Sequence, residues 1–284
     1  MRTMRRGLVL AHVSPMLMHA IVRDDPISPG GVDMCWSLAA SAVMVAAGGS
    51  ATVLTVRRRM PRAVPATLGY FTLMEALQVA GHLVAGACGT RANQLVTLLS
   101  YLHIVFQPFF INAFAMQLLP REVGVRIRTT VYALCAASAA VMLAQLVPMD
   151  WAGACRAGQP LCGQVLCVRP GSWHIAWDIP YNGLSIGIDD LTGLRLGFPS
   201  YMLAVFVMPI VYGAWRFTLF HALAGPTLAH LLTSDLNEMP AVWCLFSIAI
   251  VVAALVPRLL HRLRSERWYL WPASWLPPAP QQAR

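Results

Sequence analysis

The sequence predicts an all-α integral membrane protein, a bundle of about seven transmembrane helices with the N-terminus outside and the C-terminus in the cytoplasm. Hydrophobic residues make up 57% of the 284 residues, and charged residues only 12%. The mean hydropathy is strongly positive, which a soluble domain of this size would not tolerate on its surface. Apolar runs as long as a transmembrane helix recur along the chain, with arginine clusters between them.

The charge pattern also points to a membrane. The formal net charge is +9, and all 21 basic residues are arginine. Because these arginines lie beside apolar runs, they are expected to orient the spans against an anionic membrane face, and nucleic acid is not a predicted partner. Since the chain has no lysine, it cannot form a Schiff base with retinal or pyridoxal phosphate. The predicted surroundings are the lipid bilayer of a bacterial inner membrane.

Apolar runs divide the chain into predicted spans. A hydrocarbon core about 30 Å thick needs about 20 residues to cross it. A longer apolar stretch, 196–234, is divided by Arg216 into two pieces of about span length. Together with the runs of single-span length, these two pieces predict seven crossings. The single-span runs are 34–56, 63–88, 92–119, 129–149 and 239–257.

Arginine clusters predict the orientation of these spans. One cluster follows the first span, a second follows the third span, and a third follows the last span. Positive charge favours the cytoplasmic side, so an even number of crossings must separate the third span from the last. The division at Arg216 gives four crossings after the third span: the fourth span, the two pieces on either side of Arg216, and the last span. The clusters are Arg57, Arg58, Arg59 and Arg62; Arg121, Arg126 and Arg128; and Arg258, Arg262, Arg264 and Arg267.

Two regions flank the predicted transmembrane domain, 34–260. Residues 1–33 are predicted to be an N-terminal extension, either a poor signal-like segment or a surface segment, because the apolar run is short and interrupted by Pro15. Residues 261–284 form a basic and aromatic tail that becomes proline-rich, which is typical of an interfacial anchor followed by disorder. One large loop, 150–195, is expected on the outside.

The outside loop contains Cys155, Cys162 and Cys167, and Cys88 lies near the outer end of its span. Cysteines gathered on an oxidising face predict disulfides, although their spacing leaves the connectivity open. A zinc site is the alternative, but separations of seven and five residues provide no C-x-x-C pair. Disulfides are therefore the favoured prediction for these cysteines.

The segment 171–182 follows these cysteines and is rich in tryptophan. If it is helical, His174 and Asp178 share one face, while Trp173 and Trp177 share the neighbouring face. Such a helix would lie at the level of the lipid headgroups or cap the mouth of the bundle. His174 and Asp178 would then either hydrogen-bond each other or complete a site in the bundle below.

Polar residues inside two neighbouring spans give the strongest indication of function. Glu75 is the only carboxylate within an apolar run, and an ionisable group in hydrocarbon normally faces the protein interior and is functional. Counting from the outer ends of the spans places Glu75 and His103 at a similar depth, about 16 to 20 Å, so antiparallel packing would bring them into contact. The set comprises Glu75, Gln78 and His82 on the second span and Ser100, Tyr101, His103 and Gln107 on the third.

Three kinds of function are compatible with this cluster. The first is a membrane enzyme that uses a divalent metal, zinc or iron, to act on a lipid or a small hydrophobic substrate. The second is a small-solute or proton-linked transporter or channel. The third is a non-catalytic protein in which these residues only join helices by hydrogen bonds. For the enzyme, the predicted metal ligands are Glu75, His82 and His103, the predicted catalytic residues are Glu75, His103, His174 and Asp178, and the predicted pocket residues are Gln78, Ser100, Tyr101 and Gln107.

Three strings of sequence, 101–112, 173–182 and 237–244, carry a resemblance to an uncharacterised bacterial integral-membrane family of unknown function. The resemblance covers roughly 35–257 and implies a multi-span fold, but no activity, cofactor or site residue. The enzyme hypothesis would also make the chain similar to seven-span zinc-dependent lipid hydrolases. It departs from their H-x-x-x-H pair, because His221 and His230 are nine residues apart.

Overall fold

The structure is a computed structural model that describes residues 36–120, 122–193, 197–244, 246–266 and 268–271. The predicted N-terminal extension and the end of the predicted tail lie outside the described residues. Within them the protein is mostly helical, as the sequence predicts. Long helices come first along the chain, followed by a β-hairpin and then by shorter helices.

The first four predicted spans coincide with long helices. Side chains cap two of them, because the Ser37 hydroxyl accepts a hydrogen bond from the Ala40 N–H and the Thr90 hydroxyl accepts one from the Asn93 N–H. The third helix is the most enclosed: half of its apolar window is buried inside the protein, against 28% for the first and the fourth. The helices are α1, Leu38–Arg57; α2, Ala63–Val84; α3, Arg91–Met116; and α4, Val125–Ala144.

Shorter, interrupted helices make up the second half of the chain. Two π-helical turns, Leu203–Val207 and Leu223–Thr227, widen them beside Pro209 and Pro226. Proline has no N–H to donate to the preceding turn, which favours such local widening. These helices are α5, Ile186–Thr192; α6, Pro199–Val211; α7, Trp215–Ala222; α8, Leu228–Leu232; α9, Met239–Trp243; α10, Phe246–Leu255; and α11, Pro257–Leu263.

Glycine is required where the second π turn meets α9. A Cβ added at Gly225 would lie 2.3 Å from the indole nitrogen of Trp243. Because that distance is far below van der Waals contact, a larger residue would separate the two elements. The close packing places Trp243 beside His221, and the Trp243 indole N–H donates a hydrogen bond of 3.1 Å to the His221 Nε2.

In the described part of the chain, three helices are long and apolar enough to cross a membrane, namely α1, α3 and α4. A fourth span would result if Met239–Leu255 and Pro257–Leu263 were one broken helix, although the two parts are bent by 106°. The helix α6 is apolar but shorter. The structure therefore provides three candidate spans, and the seven crossings predicted from the arginine clusters go beyond them.

The part of the outside loop that begins at Cys167 is a β-hairpin, so the prediction of an all-α fold is wrong here. The strand β1, Cys167–Pro170, pairs antiparallel with β2, Ile175–Asp178. The helix predicted over 171–182 does not form. Ile175, Ala176 and Trp177 are all buried, and a short apolar run with β-branched and aromatic side chains is typical of a buried strand.

Two disulfides hold the region around the hairpin. Cys88, which follows α2, is bonded to Cys167 in β1, and Cys155 is bonded to Cys162. The predicted disulfides are therefore present, and they use all of the cysteines proposed for them. The Cys88–Cys167 bond closes a long loop of chain, so it restricts the unfolded ensemble and fixes the hairpin to the end of α2. Two further cysteines, Cys135 and Cys244, are buried free thiols.

Alkylation of the purified protein is expected to distinguish these two groups of cysteines. After denaturation without a reductant, Cys135 and Cys244 should react with iodoacetamide, whereas the disulfide-bonded cysteines should react only after reduction. Peptide mass spectrometry measures the labelled fraction at each position. Labelling of Cys88 or Cys167 before reduction would contradict the observed pairing.

Candidate functional site

Three polar residues of α2 lie along one face of the helix. Glu75, Gln78 and His82 are separated by three and four residues, a spacing that places side chains above one another on one helical face. Glu75 and Gln78 are fully buried, and His82 is half-buried. This face leads from the middle of α2 towards the hairpin end of the helix, over a rise of about 10 Å. The term "α2 column" refers here to these three residues together with His174.

Glu75 has one hydrogen bond, and its partner is neutral. The Ser247 hydroxyl of α10 donates to Glu75 Oε1 at 2.6 Å. The other carboxylate oxygen, Oε2, is buried without a hydrogen-bond partner. In the ranges that the structure describes, no arginine forms an ion pair with Glu75. A buried carboxyl group in such surroundings is available for binding a proton.

Gln78 is one turn further along α2. Its amide nitrogen donates a hydrogen bond of 3.3 Å to the carbonyl oxygen of Ala241 in α9. Its amide oxygen, Oε1, is buried and has no partner in the described structure. The side chain therefore presents an unused acceptor between Glu75 and His82.

His82 meets His174 of the hairpin at the end of the column. The two ring centroids are 5.2 Å apart. The Nε2 atoms of both rings are buried, and neither has a hydrogen-bond partner among the described residues. The Ile175 N–H donates to His174 Nδ1 at 2.7 Å, so the proton of the neutral His174 ring is on Nε2. Burial, with a smaller contribution from His82, lowers the pKa of His174 to about 3, and the ring is therefore neutral at pH 7.

Glu238 fixes the hairpin turn that carries His174. One carboxylate oxygen accepts hydrogen bonds from the backbone N–H groups of Trp173, at 2.5 Å, and His174. The other oxygen accepts from the hydroxyls of Ser172, at 3.0 Å, and Thr233. Glu238 is fully buried. The sequence does not predict this role. The two backbone amides lie 65 and 64 residues before Glu238 in the chain, and no local spacing indicates such a contact.

Asp178 lies outside the α2 column. Its carboxylate is paired with Arg169, at 3.1 Å, and accepts a hydrogen bond of 2.6 Å from the Asn237 amide. Arg169 also forms an ion pair with Asp235, at 2.9 Å. The predicted hydrogen bond between His174 and Asp178 is therefore wrong. Arg169 on the neighbouring strand and Asn237 in the segment before α9 are its partners, so these contacts tie the hairpin to that segment.

His103 also lies away from Glu75, which corrects the predicted contact between them. The His103 ring stacks on Tyr70 with centroids 3.9 Å apart. Its Nε2 is 2.8 Å from the Tyr70 carbonyl oxygen, and the Tyr70 hydroxyl donates to the His103 carbonyl oxygen at 2.5 Å. The register of α2 against α3 thus places His103 opposite a residue that precedes Glu75 by more than one helical turn.

The remaining predicted pocket residues have separate partners. The Ser100 hydroxyl donates to the Val96 carbonyl oxygen within α3, at 2.9 Å. The Tyr101 hydroxyl donates to the Met142 carbonyl oxygen of α4, also at 2.9 Å. Gln107 accepts a hydrogen bond of 2.5 Å from the Tyr201 hydroxyl. Ser100 therefore bonds within its own helix, Tyr101 and Gln107 join α3 to other helices, and none of the three has a hydrogen bond to the α2 column.

The three predicted metal ligands are not assembled. Glu75 contacts Ser247, His82 contacts His174, and His103 contacts Tyr70. Within the described ranges, no three residues among His, Cys, Asp and Glu are grouped so that they could hold a metal ion. A three-ligand zinc or iron centre would need such a group. The α2 column instead brings together one carboxyl group, one amide and two imidazoles.

Comparison with known proteins gives one match. A family model with the description "Family of unknown function (DUF5765)" matches residues 39–264. No curated protein matches the chain. No solved structure matches it either. The matched residues include the α2 column, the hairpin and Glu238, so the candidate site lies within the shared part of the chain.

Proposed function

The chain belongs to this family of unknown function, and we propose that it acts as a proton-linked transporter or channel of a bacterial inner membrane, with Glu75 as the proton-binding group. The proposal rests on one observation: the described structure contains a run of buried polar atoms without hydrogen-bond partners. A buried polar atom without a hydrogen bond costs about 1 to 3 kcal/mol. The atoms are Glu75 Oε2, Gln78 Oε1, His82 Nε2 and His174 Nε2.

These four atoms follow one another in space. Glu75, Gln78 and His82 share one helical face, and His174 continues the series at a ring separation of 5.2 Å from His82. A structural role in joining helices would be expected to pair these atoms with other helices, as it does for Asn112, whose amide donates to Ala204 O and accepts from Tyr212. In the α2 column, by contrast, each side chain has one buried polar atom without a partner in the described structure.

The chemistry of the column suits proton movement. A carboxyl group binds or releases a proton, and an imidazole can accept a proton on one nitrogen while it donates from the other. His174 carries its proton on Nε2, which has no partner among the described residues, while its Nδ1 accepts the Ile175 N–H, so His174 acts in the column as a hydrogen-bond donor. Gln78 does not titrate, but its amide oxygen can accept a hydrogen bond from a proton-carrying group between Glu75 and His82.

The proposed membrane position is supported by the two ends of α2. Arg57, Arg58, Arg59 and Arg62 lie just before α2, and Cys88 follows its other end in a disulfide with the hairpin. Arginine clusters favour the cytoplasmic side, whereas disulfides form on the oxidising side. Both signals give α2 the same direction, with the hairpin outside. They support the part of the proposal that places the N-terminus outside, because α1 then crosses inwards before α2; seven crossings with a cytoplasmic C-terminus remain the proposed topology.

Topology reporters are expected to separate the two sides. Alkaline phosphatase inserted near Gly158 should be active, because the hairpin region is proposed to be outside. The same reporter fused after Glu266 should be inactive, and green fluorescent protein at that position should fluoresce. If both positions report the same side of the membrane, the proposed topology is wrong.

Infrared spectroscopy provides the direct test of proton binding at Glu75. In the purified parent protein, titration with base should remove the C=O stretching band of a protonated carboxyl group, and that band should be missing in Glu75→Gln. The exposed Glu122 offers a matched control, since Glu122→Gln makes the same chemical change outside the column. A band that titrates equally in the parent and in Glu75→Gln would assign the proton to another group and overturn the proposal.

A further inference from the structure

A cavity of about 70 Å³ is lined by residues outside the α2 column, from α3, α4, α6, α9 and the loop that precedes the hairpin. Phe198, Met202 and Trp243 contribute to its mainly apolar wall. No charged residue lines the cavity in the described structure. Since burying an unpaired charge is very costly, the cavity is unsuited to an ionic ligand.

One polar pair faces this cavity. Gln107 and Tyr201 both line it, and the Tyr201 hydroxyl donates to Gln107 Oε1 at 2.5 Å. That bond uses the only hydroxyl proton of Tyr201 and one acceptor site of Gln107. The amide nitrogen of Gln107 forms no hydrogen bond with any described residue, and the atom is not fully buried. Its two N–H donors are therefore accessible from the cavity.

The volume limits the size of a ligand. A cavity needs at least about 10 to 15 Å³ of this measure to hold one water molecule, so about 70 Å³ admits only a small molecule. Aromatic side chains, Phe198, Tyr201 and Trp243, contribute to the wall and favour stacked or edge-on contacts with a ring. A single six-membered ring with one or two small substituents is therefore the class of ligand considered.

We propose that this cavity is a binding site for a small neutral ring compound with one hydroxyl or carbonyl group, which accepts a hydrogen bond from the Gln107 amide. The apolar wall holds the ring, and the Gln107–Tyr201 pair fixes the polar end. None of the column residues lines this cavity, so the proposed ligand site and the proposed proton site use different residues. Because Glu75 interacts electrostatically with the Cys244 thiol in the cavity wall, all binding measurements are made at one pH in proteins that keep Glu75. Failure of ligand binding is then distinct from failure of the proposed transport function.

The Cys244 thiol provides a reporter for occupancy. Cys244 is a buried free thiol in the cavity wall. Cys135 is the matched internal control, since it is also buried and free but lies outside this wall, where its sulfur accepts a hydrogen bond from Asn112. The probe is p-cresol, and the readout is the rate of modification by methyl methanethiosulfonate at each cysteine, followed by peptide mass spectrometry. The expected result is that p-cresol slows modification of Cys244 and leaves Cys135 unaffected.

Toluene tests the role of the polar group, because it differs from p-cresol only by the hydroxyl. In the parent protein, p-cresol should protect Cys244 at a lower concentration than toluene does. In Gln107→Leu this preference should fall by about 2- to 12-fold, the range expected for one net hydrogen bond. The exposed Gln117→Leu makes the same change outside the cavity and should preserve the preference.

A cavity-filling variant, Met202→Trp, keeps the test valid if Gln107→Leu folds poorly. It should abolish protection of Cys244 by p-cresol without changing the modification rate of Cys135. Equal protection of both cysteines would show partition into the surrounding lipid or detergent only and would overturn the proposal. Protection of Cys244 by p-cresol that persists in Met202→Trp would also overturn the proposal. The same holds if a folded Gln107→Leu protein still prefers p-cresol over toluene to the same extent as the parent.

Discussion

Replacing Glu75 with glutamine is expected to abolish proton movement across vesicles that contain the purified protein. Glutamine has nearly the same shape and can still accept the hydrogen bond from Ser247 through its amide oxygen. Its amide group does not bind or release a proton near neutral pH. A pH-sensitive dye inside the vesicles measures the rate of acidification after an imposed pH step. The rate for Glu75→Gln should fall to that of vesicles without protein.

Two controls separate loss of the proton site from loss of the fold. Glu122→Gln should keep the parent rate, because Glu122 is exposed and lies outside the α2 column. The Tm of Glu75→Gln should stay close to that of the parent protein, since the hydrogen bond from Ser247 is preserved. A folded Glu75→Gln protein with the parent rate would show that Glu75 only joins helices, and the transport proposal would then be wrong.

His174 is held in position by contacts with three parts of the chain. Its ring lies against His82 and also stacks on Trp36, at centroid distances of 5.2 Å and 6.1 Å. The hairpin that carries it is tied to the end of α2 by the Cys88–Cys167 disulfide. These contacts fix the last member of the column next to His82.

The long helices could be predicted from the sequence because their signals are local. The predicted run 63–88 corresponds to α2, Ala63–Val84, and the run 92–119 corresponds to α3, Arg91–Met116. Apolar length and flanking arginines determine such segments with little help from distant residues. The interruptions of the helices near Pro209 and Pro226 are harder to predict from the sequence, since an apolar run does not indicate a π turn.

The hairpin and the partners of the site residues depend on contacts between distant parts of the chain. The segment around His174 has apolar residues at both two-residue and four-residue spacing, so periodicity alone did not decide between strand and helix. The partner of His103 is the backbone and ring of Tyr70, which no side-chain pattern indicates. Glu75 and His82 were correctly selected as polar residues of one helical face, but their neighbours became apparent only from the packing of α10 and the hairpin.

Replacing Glu238 with alanine is expected to cause a large loss of stability in the hairpin region. Its two carboxylate oxygens accept four hydrogen bonds, two from backbone N–H groups and two from hydroxyls. Hydroxyls can turn towards other acceptors, but the buried N–H groups of Trp173 and His174 would be left without a partner, at about 1 to 3 kcal/mol each. The free energy of unfolding should therefore fall by about 2 to 6 kcal/mol, measured by thermal or denaturant unfolding in detergent.

Glutamine at the same position distinguishes hydrogen bonding from charge. In Glu238→Gln the amide oxygen can accept from the two backbone N–H groups, while the amide nitrogen donates to the hydroxyls of Ser172 and Thr233, which also act as acceptors. This variant should keep most of the stability that Glu238→Ala loses. Glu266→Ala removes an exposed glutamate and should change the unfolding free energy by less than about 0.5 kcal/mol. If Glu238→Ala is no less stable than Glu266→Ala, the hairpin turn does not depend on this carboxylate, and the position of His174 must be determined by the disulfide and the strand pairing alone.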